Sequence, residues 1–401
     1  GNSSIPKKKN RSMPAMEWLN ELLSDSWLSS LMGEQTVIEH FEVMEGEGNS
    51  SSVLVKVECK RGPLMLKITP RVSGDSLAAS VDREALFYQS AWRELHRVGI
   101  GLLELHAVDI RPDMSAIVLE FVKDGWRTGS NAGLLRCQAE ALIQVLARLH
   151  AWGLKGRDSL PWLEDCRDGH LRKHGLPDLF RSSVPKITEE KIQAASPAVE
   201  LHHARQMLEM LQVAARPGLY EFAIDSVMQS GPQTVVHMDA RQGNAFFETE
   251  DKAGNDVLVK QVKLFDWQNV TIGTGALDLA YTLSGSLSVS DRREWQDDLL
   301  ALYRQVFCHV SSTSYPMEHL RDDYRKALIW PLVWAALTLA DVEATVDHCA
   351  GPMLGAGATT DDVAKRVKAR EVAREFVTVG SVRYIQAALD EGSAQCVQDK
   401  M

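Results

Sequence analysis

Apolar and polar positions change period along the chain, and the change divides it. Trp18, Leu22, Leu23, Trp27, Leu28 and Leu31 recur at helical spacing and predict a helix over Glu17–Met32. Two strand-like runs follow, Val37–Val43 and Val53–Glu58, separated by the small-residue turn Glu45–Ser52. Arg61-Gly62-Pro63 turns the chain into a third strand, Leu64–Ile68. Val81–Leu95 reads as a helix with Asp82, Arg83 and Glu84 in its first turn and an apolar stripe of Leu86, Phe87, Ala91 and Leu95. Leu102–Asp109 and Ala116–Phe121 read as two more strands. Residues 35 to about 122 thus predict a five-stranded sheet with one helix after its third strand.

Beyond Glu120 the helical period takes over. Leu134–His150 is a long amphipathic helix, residues 155–200 are polar and broken by Gly and Pro, and His202–Leu211 and Tyr220–Gln229 are helical. A β patch interrupts the helices at Thr234–His237, Ala245–Glu248 and Val257–Phe265; from Ala276 onward the pattern is helical. The expected division is a mobile polar tail over 1–14, a small β-rich lobe over 15–122 and a helical lobe over 123–401.

Composition adds limits. The 401 residues are 45% hydrophobic and 24% charged, which excludes a wholly disordered or fibrous chain. A net charge of -10 argues against nucleic acid as the main partner. Six cysteines in so long a chain make no disulfide scaffold, and point to a reducing, cytoplasmic setting. The longest apolar run, Ala327–Ala340, is interrupted by Pro331 and falls short of the ~20 residues of a membrane span. It reads as a buried helix. Gly1-Asn2-Ser3-Ser4 beside Lys7–Lys9 admits a lipid anchor at Gly1, but Ile5 stands where that motif takes Ser or Thr. A polar tail is the preferred reading.

The chemistry concentrates in His237-Met238-Asp239-Ala240-Arg241-Gln242-Gly243-Asn244, between two strands, and in Asp266-Trp267-Gln268 at the end of a third. Phosphoryl transfer needs a carboxylate beside the attacking hydroxyl and hard oxygen ligands for Mg²⁺ on the phosphates. Asp239 suits the first role, and Asn244 and Asp266 the second. Lys67 lies on an apolar strand, where a lone ammonium needs a partner. Glu84 can orient it toward phosphate oxygens. Gly48, Asn49, Ser50 and Ser51 can present backbone N–H groups to the phosphates. Glu120, Phe121 and Val122 place a backbone edge where adenine would meet it. His237 reads as a loop-fixing residue, Arg241 as equally suited to phosphate or to the loop, and Gln268 as a supporting candidate. Cys166, His170 and His174 stand four apart like metal ligands, but Gly169 and the lack of a fourth ligand weigh against zinc.

Over about Glu45 to Leu283 the chain resembles the choline-kinase-like and aminoglycoside-phosphotransferase-like small-molecule kinases, closest to the ecdysteroid-kinase-like branch. The resemblance rests on Gly46–Ser52, Lys67, Arg83–Tyr88, Leu146–His150, His237–Asn244, Asp266–Gln268 and Asp278–Tyr281 in order. It implies an α+β, two-lobed protein-kinase-like fold, ATP and Mg²⁺ in the cleft, and γ-phosphoryl transfer to a small-molecule alcohol, choline-like, sterol-like or other. An antibiotic or sugar acceptor, or a nucleotide-binding pseudokinase, is the alternative. Asp278 is expected to cap a helix. Met238 departs from the glycine common in such families. The lack of an Ala-Pro-Glu-type segment after Asp266 argues against a protein acceptor.

Overall fold

The computed structural model describes residue 19 and residues 22–44, 52–71, 82–123, 125–251, 257–350 and 360–401. Helix α1 (Asp25–Met32) is capped by the Ser24 hydroxyl and precedes strands β1 (Ile38–Val43), β2 (Val53–Cys59) and β3 (Leu64–Pro70). Helix α2 (Arg83–Arg97) follows, then β4 (Leu105–Ile110) and β5 (Met114–Glu120). The hydrophobic pattern predicts these five strands with one helix after the third, and they pair antiparallel in the order β1-β2-β3-β5-β4. Gly48, Asn49, Ser50 and Ser51 lie outside the described residues, as do residues 1–14.

Strand β6 (Trp126–Thr128) leads into α3 (Arg136–Gly156), α4 (Leu176–Ser183), α5 (Glu189–Ala195), α6 (Leu201–Ala214) and α7 (Leu219–Ser230). Residues 155–200 are therefore more helical than their polarity predicts. The reason is that they dock: Phe180, Val184, Ile187 and Ile192 are buried in the main core, supplying the tertiary packing that short helices need. Arg167–Lys173 winds as a π-helix, so Cys166 and His174 do not stack on one α-helical face. Among the described residues no group of three His, Cys, Asp or Glu side chains could hold a metal; the His170 side chain lies outside the description.

Strands β7 (Gln233–Val236) and β10 (Thr271–Thr274) form one small antiparallel pair, and β6, β8 (Ala245–Asp251) and β9 (Val257–Leu264) form another sheet. The pattern missed β6 and β10 because three- and four-residue strands carry too few periods to register. The chain ends in helices α8 (Gly275–Ser286), α9 (Val289–Ser311), α10 (Met317–Ala327), α11 (Leu332–Ala340), α12 (Val342–Ala350), α13 (Thr360–Asp390) and α14 (Ser393–Gln398). Helix α11 is buried, as its apolar run predicts; no single described helix is long and apolar enough to cross a membrane. All six cysteines are free thiols.

The described residues form two hydrophobic cores. One holds α1 and the inner face of the five-stranded sheet, including Val55, Val57, Leu66, Ile68 and Val118. The other fills the helical lobe and takes in Phe87, Tyr88, Ala91 and Leu95 of α2. Helix α2 thus follows the sheet in sequence but packs with the helical lobe. Gly101 completes that attachment: its carbonyl accepts the Leu264 N–H at 3.0 Å, and a Cβ there would lie 1.8 Å from the Val262 carbonyl oxygen. Only glycine permits so close a backbone approach.

Candidate active site

Strand β3 carries Lys67 to the cleft between the cores. Its ammonium lies 2.6 Å from Glu84 Oε2 and 2.6 Å from Asp266 Oδ1. Burial by itself would strip a lysine of its proton; the two carboxylates outweigh it and raise the Lys67 pKa above its ordinary value. Burial raises the Glu84 pKa despite Lys67, whereas Lys67 and Arg241 overcome burial at Asp266 and hold it low. Glu84 also accepts the Trp267 N–H at 3.2 Å, and Trp267 stacks on Phe87 with ring centroids 4.4 Å apart. Helix α2 and the Asp266 loop are therefore fixed to each other through both a ring stack and a carboxylate.

The loop after β7 holds Asp239 in a buried position, 8% exposed. Asn244 Nδ2 donates to the Asp239 carbonyl at 2.9 Å and to Asp239 Oδ2 at 2.8 Å, which turns Asn244 Oδ1 away from Asp239. Arg241 Nε donates to Asp239 Oδ1 at 3.2 Å, while its guanidinium lies over the Phe376 ring, 4.5 Å from the centroid. Burial raises the Asp239 pKa, and Arg241 only partly offsets it. His237 accepts the Asp239 N–H on Nδ1 at 3.3 Å and donates from Nε2 to the Phe265 carbonyl at 3.0 Å. It joins the Asp239 loop to the Asp266 loop. Gln268 Nε2 lies 3.4 Å from Asp266 Oδ2.

The expected adenine edge lies at the end of β5. The Glu120 N–H is already donated to the Glu104 carbonyl, so Phe121 and Val122 are left as the backbone candidates. The Glu120 carboxylate pairs with Lys263, and the Phe121 ring lies under Lys56.

Asp278 corrects the expectation that it caps a helix. Thr274 occupies the N-cap of α8, and Asp278 instead accepts the His237 N–H at 2.8 Å and the Met238 N–H at 2.7 Å. Its Oδ2 also faces His150 Nε2 at 3.0 Å, and His150 Nδ1 faces the Tyr303 hydroxyl at 2.9 Å. One turn on, Thr282 Oγ1 donates to the Ala240 carbonyl, and a turn further Ser286 Oγ accepts the Gln242 N–H at 3.1 Å. Positions 278, 282 and 286 fall on one face of α8, so a single helix holds the loop at four successive points. Sequence reasoning missed Thr282 and Ser286, whose i, i+4, i+8 spacing was the available signal.

Met238 and Asp266 are both in the left-handed region, at φ 63° and 65°. A non-glycine residue there costs about 1–2 kcal/mol. At Met238 a glycine would relieve that, but the side chain is 2% exposed within the main core. Truncating a buried methionine costs about 2–5 kcal/mol. Met238→Gly is therefore expected to destabilise the protein by about 1–3 kcal/mol, measured by urea denaturation. A more stable variant would mean that strain outweighs packing at this loop.

A family model described as "Uncharacterized oxidoreductase dhs-27" (DUF1679) matches residues 109–372, about two-thirds of the chain. The chain belongs to this family. It is the ecdysteroid-kinase-like group to which the ordered motifs pointed, and the DUF1679 segment contains Asp239, Asn244, Asp266 and Asp278. No curated protein matches the chain. Among solved structures, a spectinomycin phosphotransferase in complex with ADP and spectinomycin is similar at a TM-score of 0.52 and 13% identity, covering 92% of this chain and 97% of its own. A type VIII aminoglycoside-3'-phosphotransferase (TM-score 0.38, 16% identity, 79% of this chain, 98% of its own) also matches. So does a putative fructosamine-3-kinase from Haemophilus somnus (TM-score 0.36, 10% identity, 86% of this chain, 95% of its own). The first of these shows the fold: this DUF1679 chain has the two-lobed, protein-kinase-like architecture.

Proposed function

We propose that this DUF1679 protein is an ATP-dependent phosphotransferase that moves the γ-phosphoryl group to a hydroxyl of a small molecule. The observation that carries the reading is the convergence of Lys67, Asp239, Asn244 and Asp266 from three separate stretches of chain into one cleft. The oxidoreductase label of the family has less support. Among the described residues the three sheets pair antiparallel, so the cleft between them is not the switch point of a doubly wound parallel sheet on which nicotinamide cofactors commonly bind.

The residues fit Mg²⁺ by the chemistry of their donors: Asn244 offers an amide oxygen and Asp266 a carboxylate, both hard ligands. Bound with nucleotide, the ion would neutralise charge on the phosphates. Lys67 supplies a fixed positive charge for phosphate oxygens, and Glu84 keeps it aimed. Asp239 accepts the proton of the attacking hydroxyl. Because the loop is pinned along α8, that carboxylate is held in place before substrate arrives, and most of the rate enhancement comes from positioning and fixed charge. The Arg241 guanidinium beside Asp239 favours an uncharged alcohol over a quaternary ammonium or aminoglycoside acceptor, since a cation would meet a like charge.

The test is a thermal-shift and calorimetric titration of wild type and Asp266→Ala with MgATP, ATP without metal, and NADPH. MgATP at ~100 times its dissociation constant should stabilise the wild type by about 2.7 kcal/mol. The metal-dependent part should vanish in Asp266→Ala. Binding of NADPH with no response to MgATP would overturn the proposal. MgATP binding with no turnover on any alcohol tried would favour a nucleotide-binding scaffold.

A further inference from the structure

In the helical lobe a cavity of about 640 Å³ opens between α9, α10 and the end of α13. That volume suits a small molecule rather than a lone ion. Helix α9 turns Arg292, Arg293 and Gln296 toward it from one face, and α10 adds Arg321, Tyr324 and Arg325 at i, i+3 and i+4. Asp297, Asp390 and Glu391 complete the charged lining, so four guanidinium groups face three carboxylates in a chain whose net charge is -10. None of Lys67, Glu84, Asp239, Asn244 and Asp266 lines it. Helix α13 marks the separation. Its Phe376 lies under the Arg241 guanidinium beside Asp239, whereas Asp390 is its last residue, about 21 Å further along the axis.

The groups lining the cavity only partly satisfy one another. Arg293 grips Asp390 with two hydrogen bonds of 2.8 Å, from Nε and Nη2. Arg292 donates from Nη2 to the same carboxylate and from Nη1 to Gln296 Oε1 at 3.1 Å, where the Tyr324 hydroxyl also donates at 2.8 Å. Arg321 pairs with Asp297 at 3.0 Å, but Arg325 Nε stays 3.7 Å from Glu391. Among the described residues, Nε of Arg292 and Nε of Arg325 are buried without a hydrogen-bond partner, and Arg292 as a whole is 2% exposed. A network built only to hold three helices together gains nothing from such donors, because a buried N–H without an acceptor keeps its full desolvation cost.

We infer that this cavity is a second ligand site and that its ligand is a small phosphomonoester carrying hydroxyl groups. Phosphate oxygens match the planar forks that α9 and α10 present from two sides, and they supply the acceptors that the two Nε groups lack. The carboxylates and Gln296 offer acceptors for hydroxyl groups on the same molecule. A polycarboxylate would set its outer charges against Asp297, Asp390 or Glu391, so the lining selects one compact anionic group on a neutral polar body. The site does not depend on phosphotransfer in the Lys67 cleft.

The experiment titrates the full chain with glucose 6-phosphate and with glycerol 3-phosphate, by calorimetry and thermal unfolding, at low salt and without nucleotide or metal. Inorganic phosphate, glucose and citrate are the comparison probes, and the variants are Arg321→Ala, Arg325→Gln and Lys67→Met. The Arg321 and Arg325 side chains are 50% and 41% exposed, so the fold should tolerate their loss, and thermal unfolding of the unliganded variants checks this. At least one phosphomonoester should bind the wild type with a dissociation constant of about 1 mM or tighter and raise its unfolding temperature, whereas glucose should do neither. Arg325→Gln should weaken that binding at least about tenfold, because a charge-assisted contact to phosphate is lost, and Arg321→Ala should weaken it in the same direction. Lys67→Met, in the distant cleft, should leave it within about twofold. Failure of both phosphomonoesters to bind would overturn the inference. Binding that Lys67→Met abolishes and Arg325→Gln spares would place the phosphate in the cleft and overturn it too. Tighter binding of citrate or inorganic phosphate than of either phosphomonoester would overturn the ligand class.

Discussion

Asp239→Asn is expected to lower kcat about 10²–10⁴-fold while MgATP binds with near wild-type affinity. The substitution keeps the shape of the side chain but removes the negative charge that accepts the hydroxyl proton. It also disturbs the site in a known direction, because Arg241 and Asn244 both donate to this carboxylate. An asparagine has one acceptor oxygen for two donors. Some of the loss will therefore come from loop repacking, and steady-state kinetics must be read beside an ATP-binding isotherm. The wild-type rate should itself fall on the acid side as Asp239 gains its proton. Burial holds that pKa above the ordinary carboxylate value, so the limb should lie above about pH 3.9. Turnover by Asp239→Asn at the wild-type rate would remove Asp239 from the role of base.

The second large effect is expected at a residue that touches no substrate. Asp278→Asn should destabilise the protein by about 3–5 kcal/mol and reduce kcat at the same time. Asp278 is fully buried and accepts two backbone N–H groups of the Asp239 loop as well as His150. An amide in its place turns an NH₂ group toward donors, and a buried donor without an acceptor loses its full desolvation cost. Burial would raise the Asp278 pKa, but the hydrogen bond from His150 and those of the loop hold it below the ordinary value. A depressed carboxylate pKa contributes stability that is present above the unfolded value, about 3.9, and is lost as pH falls through the folded value. Urea denaturation at pH 7 and at pH 3–4 checks both parts. The variant should be weaker at pH 7, and the gap to wild type should narrow in acid. An Asp278→Asn protein with wild-type stability and kcat would show that the α8 contacts do not hold the loop.

These two expectations differ in how far the sequence foretold them. Asp239, Asn244 and Asp266 were legible because their spacing is a local property. A loop proposed to present a base and a metal ligand constrains residue types over eight consecutive positions, and the return of Asp266 needs only the β8–β9 hairpin between. Lys67 and Glu84 were legible for a different reason, since an ammonium on a buried strand demands a partner. The five strands with their single helix followed from the change of hydrophobic period alone.

Asp278 was picked out by its motif yet given the wrong task. Its place before an apolar run reads as a cap, and nothing local says that the loop 40 residues earlier folds back onto it. The same limit hid Thr282 and Ser286, and the pairing of Tyr281 with Tyr384, which meet only because α8 and α13 pack. The helices within 155–200 were missed because their formation depends on docking against the core, not on their own propensity. Local pattern, acting through covalent reach and backbone propensity, determined which elements form and which residues are candidates for the chemistry. Only the tertiary structure decided which helix holds the Asp239 loop, that α2 packs with the helical lobe, and which side chains stand around Asp239, because those contacts join residues far apart in the chain through burial and hydrogen bonding.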